Sequence, residues 1–336
     1  MSNQIYEQGL YNEDQKEMFL NKLNKNTRAA YERVLNRAKT LEEQFEKDLY
    51  DFNIYEVERL IHYLNPGTLS SVTASASIIQ TYIRWGIEQD LRANNLNPLD
   101  AIIGDDFYAK FIDKTNKTIF SKEEIEDITG GLVNFQDSAI VQCIFEGVVG
   151  KRYSEILNLT RSDIDESTGI VTLKNEIDES KVEERKIKLS DDLIKMLIKA
   201  AEERIYHKNN GHPSENIKAP TADLADSEFV FRNAMLNTKE SGRADYHLIF
   251  RRLKKIAEWN QQPYLTGINI RNSGMLYMAS KFYYKNYCEL GKTEIDAVCA
   301  HFNIPKLKNK QDYHTTRLRK EFLNVSKIEE LYPIEE

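Results

Sequence analysis

Apolar residues recur at helical spacing through the first hundred positions. Ala30, Tyr31, Val34, Leu35 and Ala38 share one face, with Asn26 or Thr27 as the expected cap. Val57, Leu60, Ile61 and Leu64 repeat the pattern within "NIYEVERLIHYL", which Pro66-Gly67 closes. Ile78, Ile79, Tyr82, Ile83 and Trp85 mark a longer third helix, and Asn97-Pro98 breaks the pattern after it. Residues 1–104 therefore predict a helical domain. No period is sustained from 105 to 120, which predicts a linker.

A second domain is expected over residues 121–336. Ser121 with Glu124 three positions later has the spacing of a capping box. An apolar helix over 137–149 follows, then a hairpin with strands at 169–174 and 185–189 and the long charged loop "NEIDESKVEE" between them. Next come a helix over 190–207, a loop over 209–228 and a short strand "FVFRN" at 229–233. Helices then run to about Val325. The fold class expected is mainly α with a small antiparallel β-sheet, in two domains.

Composition narrows the function classes. The chain has 336 residues, enough for two cores, and 29% of them are charged. Cys143, Cys288 and Cys299 lack metal-ligand spacing, and an odd count speaks for a reducing compartment. No leader or apolar span is visible, so the expectation is a soluble protein of a bacterial cytoplasm, away from membranes. No cofactor and no metal is implied.

The net charge of −7 counts against indiscriminate nucleic-acid binding. Local charge tells a different story. "PKLKNKQDYHTTRLRK" carries Lys306, Lys308, Lys310, Arg317, Arg319 and Lys320 against Asp312 alone. "RRLKK" adds Arg251 and Arg252. Each cluster alone reads most simply as a solvated helix face; together they suggest a DNA surface.

Within "GVVGKRYSEILNLTRSDID", Arg152 stands at the expected mouth of a helix. A cation gains nothing there from the macrodipole, but it can share an incoming anion with the helix-end N–H groups. Arg271 opens another helix in "TGINIRNSG", His301 lies in "VCAHFNI" and Tyr313 in "KQDYHTTR".

Taken in order, G-x-R-x-S-E-I, the hairpin with lysines in its loop, I-x-x-R, A-H-F and D-Y-H resemble the tyrosine recombinase (phage integrase) family. Within it the chain is most similar to the recombinase-like master repressors of SPβ-type prophages. Thr27, Tyr31, Trp85 and Asn97-Pro98 resemble that family's helical core-binding (SAM-like) domain, which makes 121–336 the catalytic-like domain with a C-terminal tail. The resemblance implies two arginines, a hairpin lysine and a histidine around a scissile phosphate, and a tyrosine that attacks it to leave a 3′-phosphotyrosine. Arg152 and Arg271 match the arginines, Lys181 (or else Lys174) the lysine, His301 the histidine and Tyr313 the nucleophile. Forked guanidiniums suit phosphate oxygens, and the lysine and histidine would move protons.

The departures point away from catalysis. Ile268 stands where the family's box has histidine, and a hydrocarbon moves no proton. Asn272 follows the second arginine in place of His or Lys, and Glu176, Asp178, Glu179, Glu183 and Glu184 crowd the hairpin. The expectation is a sequence-specific DNA-binding repressor maintaining lysogeny, bound to double-stranded DNA at repeated operator sites in a phage genome, with Tyr313 vestigial. The alternatives are an active integrase and a protein-interaction scaffold. The acidic ending carries Ile328, Leu331 and Ile334, enough to dock in cis or on a second copy, so a homo-oligomer stays open.

Overall fold

The computed structural model describes residues 9–112, 117–178, 180–212, 219–235, 242–307 and 312–334. The chain divides into two compact units, Met1–Asn116 and Lys117–Glu336.

The first unit is helical: α1 (Glu13–Leu20), α2 (Lys25–Phe45), α3 (Ile54–Leu64), α4 (Leu69–Glu88) and the single turn α5 (Asp106–Ala109). The apolar stripes read from the sequence meet in one core around Leu35, Leu60, Ile61, Ile79, Tyr82 and Ile83. α2 starts ahead of the expected cap, because the Asn24 side chain accepts the Thr27 N–H. A capping box of Asn53 and Glu56 opens α3. The expected linker is only partly a linker. Phe107, Tyr108 and Ile112 pack on this core and Phe111 is buried in it, while Phe120 belongs to the core of the second unit.

One polar cluster sits inside that first core. Lys16 Nζ donates to Glu42 Oε1 at 2.6 Å and to Asp48 Oδ2 at 3.1 Å, and Tyr82 donates to Asp48 Oδ1 at 3.0 Å. All four side chains are buried. Burial raises the Glu42 carboxyl to about 7, against the pull of Lys16.

The second unit begins with α6 (Lys122–Gly130), whose capping box is the expected Ser121–Glu124 pair. α7 (Phe135–Phe145) is buried from Gln136 onward and packs against α6 and three later helices. The chain then forms α8 (Ser154–Leu157), β1 (Ile164–Asp165), β2 (Ile170–Glu176) and β3 (Val182–Lys188), an antiparallel sheet of order β1-β2-β3. The hairpin strands are longer than the pattern suggests. Register pairs Leu173 with Arg185 and continues to Glu176 with Val182, so the loop shrinks to 177–181.

α9 (Asp191–Glu202) is capped by Ser190 and stops before the expected end. Residues 205–207 are instead a strand, β4 (Ile205–His207), paired with β5 (Thr221–Asp223) from inside the expected loop. "FVFRN" is not a strand: Phe229 makes one isolated bridge to Thr160, and Arg232 turns inward. α10 (His247–Trp259), α11 (Gly267–Lys285), α12 (Lys292–His301), α13 (Thr316–Glu321) and α14 (Val325–Leu331) complete the unit.

α11 crosses α7 at Gly274, where an added Cβ would lie 1.7 Å from the Phe145 carbonyl oxygen. Only glycine allows that approach, and it fixes where the first turn of α11 points. Of the ending, Ile328 is buried in the cluster that α11 and α12 share and Leu331 packs on it, whereas Ile334 is exposed.

Candidate functional site

A cleft of about 610 Å³ opens in the second unit, lined by Lys151, Asn175, Glu183, Arg271, Lys306 and Tyr313 among others. Arg271 is the fifth residue of α11. Its guanidinium is largely buried, its Nε has no partner, and no carboxylate among the described residues pairs with it. Among the described residues its neighbour at hydrogen-bonding range is Asn272 Oδ1, at 3.5 Å. Burial lowers its pKa, as does the positive charge of Arg317, while Tyr153 acts the other way. A partly buried guanidinium with no carboxylate partner among the described residues is suited to receive an anion.

Tyr313 and Lys306 bridge each other as isolated extended residues, and the Lys306 ammonium lies 5.4 Å from the Tyr313 ring centroid. Burial raises the Tyr313 hydroxyl pKa above its ordinary value. No neighbouring cation is among the causes of that shift.

The other residues singled out from sequence fall elsewhere. Arg152 is exposed with φ 53°, and its guanidinium carbon sits 5.2 Å from the Tyr246 ring. It does not line the cleft. Arg152 and Tyr153 are consecutive left-handed residues, a strained turn that aims the two side chains flanking the bend in different directions. His301 is also turned away. Its Nε2 lies 2.8 Å from the Glu146 carbonyl oxygen, and burial lowers its pKa. Lys174 pairs with Asp163 at 2.8 Å, and Lys181 with Glu183 at 2.5 Å. Ile268 is 63% exposed at the start of α11.

Among the basic residues, Arg251, Arg317, Arg319 and Lys320 are exposed, with Arg317 paired to Glu321 at 3.0 Å. Lys308 and Lys310, like Glu179 of the hairpin, lie outside the described residues. Arg252 must be withdrawn from the surface. It is buried at 6% exposure, donates to Asp137 Oδ1 at 3.1 Å and to the Arg232 carbonyl at 3.1 Å, and lies over the Tyr206 ring. It is an internal tie between α10 and α7.

Two residues were overlooked in the sequence. Arg185 on β3 grips Glu155 with Nε and Nη2 at 2.7 Å each and also donates to the Gly147 and His301 carbonyls. That fork holds the turn bearing Gly150–Tyr153 against α12. Glu155 is fully buried, so the acid of "R-x-S-E-I" is a structural anchor. Lys151 is the second, hidden in the sequence beside a more conspicuous arginine.

The profile of the family described as "MrpR, C-terminal catalytic domain" matches residues 119–333. That of the "MrpR, N-terminal core-binding domain" matches residues 10–88. The chain belongs to the MrpR family. Its architecture is mainly helical with small antiparallel sheets, built of a core-binding and a catalytic-type domain. The chain is 26% identical over 326 residues to an SPbeta prophage-derived uncharacterized protein, YopR, of Bacillus subtilis strain 168, covering 96% of this chain and 97% of that protein. Among solved structures it is similar to the Tn1549 transposon integrase in complex with a circular intermediate DNA, at 12% identity and TM-score 0.41, covering 86% and 94% of the two chains. It is also similar to XerA recombinase, at 13% identity and TM-score 0.35, covering 87% and 97%.

Proposed function

We propose that this protein is a sequence-specific DNA-binding repressor of a prophage, which maintains lysogeny and cuts no DNA. One observation carries the reading: the cleft keeps cations around Tyr313, while each residue that the family resemblance assigns to proton transfer has another partner or is replaced. His301 is tied to a backbone carbonyl, Lys174 to Asp163 and Lys181 to Glu183, and the remaining position is Ile268. A positioned acid or base contributes about 10²–10⁴ in rate and must stand within roughly 3 Å of the proton it moves. Lys181 has a different use here. It neutralises Glu183, a carboxylate that lines the cleft and would otherwise repel a phosphate.

The relative in Bacillus subtilis supports the prophage setting. The unpaired Arg271 sharing a cleft with Lys306, in a chain whose family pairs a core-binding with a catalytic-type domain, supports duplex DNA as the ligand. Phosphate contacts would set position and affinity, and a few side chains would read base edges. The second reading, an active recombinase, rests on Tyr313 lining the same cleft as Arg271. Mobility shifts across fragments of the source prophage genome identify bound sites, and nicked suicide duplexes built on those sites are then incubated with the protein. The repressor reading expects tight, salt-dependent binding and no covalent adduct on a denaturing gel. An adduct that vanishes in Tyr313→Phe overturns it in favour of the enzyme; absence of specific binding to any fragment overturns both.

A further inference from the structure

We infer that Lys151, rather than Arg152, is the cation that the 150–153 turn offers to a DNA phosphate, an inference that rests on the DNA-binding reading above. The turn is pinned from both sides. The Lys151 N–H donates to Asn175 Oδ1 at 2.8 Å, and the same oxygen accepts from Ser154 Oγ at 3.0 Å. Asn175 is itself buried on β2, so the backbone at 151 is fixed to the hairpin. From there the Lys151 side chain enters the cleft shared with Arg271, Lys306 and Tyr313.

Its ammonium donates one hydrogen bond to the Ile177 carbonyl, at 2.5 Å. An ammonium has three donors, so two remain for an anion. The carbonyl holds the stem in place without cancelling the charge, since it carries only a partial negative charge. No carboxylate among the described residues forms an ion pair with Lys151; the exposed Asp178 carboxyl feels its charge from farther off, whereas Glu183, the acid lining the cleft, is already held by Lys181. Arg152 lies on the outer side of the same bend. Its left-handed backbone carries it onto the Tyr246 ring, where the guanidinium is held by a cation–π contact. Lys151 and Arg271 are thus the inward-facing pair, one a point charge and one a fork, on two separate elements of the cleft wall.

The test uses the full-length chain. Binding of a labelled duplex of about 30 base pairs, long enough to offer several phosphates on each strand, is measured across a salt series. Melting is measured in pyrophosphate and in chloride at matched ionic strength. Lys151 is exposed, so Lys151→Ala should melt like wild type in chloride. Neutralising one phosphate contact should reduce the slope of log K against log[salt] by about 0.9. We expect that loss for Lys151→Ala and for Arg271→Ala, its restoration in Lys151→Arg, and loss in Lys151→Ala of the extra stabilisation that pyrophosphate gives wild type. A wild-type slope and pyrophosphate response in Lys151→Ala, with Arg271→Ala impaired, overturns the inference and leaves the DNA reading standing. If wild type does not bind the duplex, the DNA reading falls. The pyrophosphate comparison then decides on Lys151 alone: retention of the wild-type response in Lys151→Ala overturns it, and loss supports it as an anion ligand.

Discussion

Replacing Gly147 with glutamate tests how closely the cleft wall is built. Gly147 has φ +93°, a region that residues with a Cβ avoid, and it follows the last turn of α7. An added Cβ would stand 3.0 Å from His301 Cδ2 and 3.3 Å from both His301 Nε2 and the His301 carbonyl oxygen. The Gly147 carbonyl accepts from Arg185 at 2.7 Å, so the turn cannot simply rotate away. Left-handed backbone costs about 1–2 kcal/mol. Displacing His301 from the Glu146 carbonyl costs about 0.5–1.5 kcal/mol, and overpacking adds about 1–3 kcal/mol. A total of about 3–6 kcal/mol lowers the midpoint of a domain this size by roughly 6–24 °C. Calorimetry should show the transition of the second unit falling in Gly147→Glu, with Gly147→Ala between it and wild type and the first unit unmoved. DNA binding should be present in the cold and lost on warming. A Gly147→Glu protein that melts with wild type would refute the packing argument, because the strain and the contacts would then have relaxed at no cost.

Tyr313→Phe removes a hydroxyl and keeps the ring, so site-specific binding should persist within a few-fold in the mobility-shift assay; loss of all binding would mean the phenol itself holds the DNA. Arg252→Ala should destabilise the second unit by about 3–5 kcal/mol in denaturant unfolding, since it strands a buried Asp137 carboxylate; a change below about 1 kcal/mol, the range of an exposed pair, would return Arg252 to the surface. In the first unit, burial holds the Glu42 carboxyl at about 7, above its ordinary 4.5. Between those values the folded state keeps a proton that the unfolded chain has released, so this group's contribution is full below 4.5 and is lost as pH rises to about 7. Glu42→Gln should therefore flatten the fall in stability of the first unit across that window, and an identical pH profile in the two proteins would contradict the assignment.

What the sequence disclosed depended on whether the signal was local. Helical stripes such as Val57, Leu60, Ile61 and Leu64, and caps such as Ser121–Glu124, need only near neighbours, and they appear where the pattern puts them. β4 needed a partner well separated along the chain, with His207 pairing Thr221 and Ile205 pairing Asp223, so periodicity ran the preceding helix straight through it. Phe229–Asn233 has strand composition, yet Val230 and Phe231 are both buried, and among the described residues no neighbouring strand runs alongside to complete a ladder. Arg252 was legible after all. It falls at helical spacing from Leu248, Ile249 and Ile256, on the apolar face of α10, and the acid that answers it is Asp137, near the start of an apolar helix. At Arg152 the sequence offered no such signal. Two successive left-handed residues decide that Lys151 faces inward, and nothing in "GKRY" announces them.

Binding and proton transfer tolerate change very differently, so under the proposed function a cleft could keep one without the other. At an effective dielectric of about 20, moving two unit charges from about 4 to about 6 Å apart lowers their attraction only from about 4 to about 3 kcal/mol. A phosphate can therefore be held by Lys151, Arg271 and Lys306 from three elements with loose geometry, and a lysine can stand in where an arginine has turned outward. Proton transfer has no such latitude, because donor and acceptor must meet within hydrogen-bonding distance. With His301 bonded to the Glu146 carbonyl and Lys181 to Glu183, proton transfer under the proposed function would require several coordinated changes, whereas each cation could contribute to binding on its own. Ile268→His alone should then leave the protein unable to form a DNA adduct, since it supplies one proton carrier to a site where the others remain tied. Adduct formation by that single variant would show that the remaining apparatus is intact and that Ile268 is the only thing standing between this fold and its chemistry.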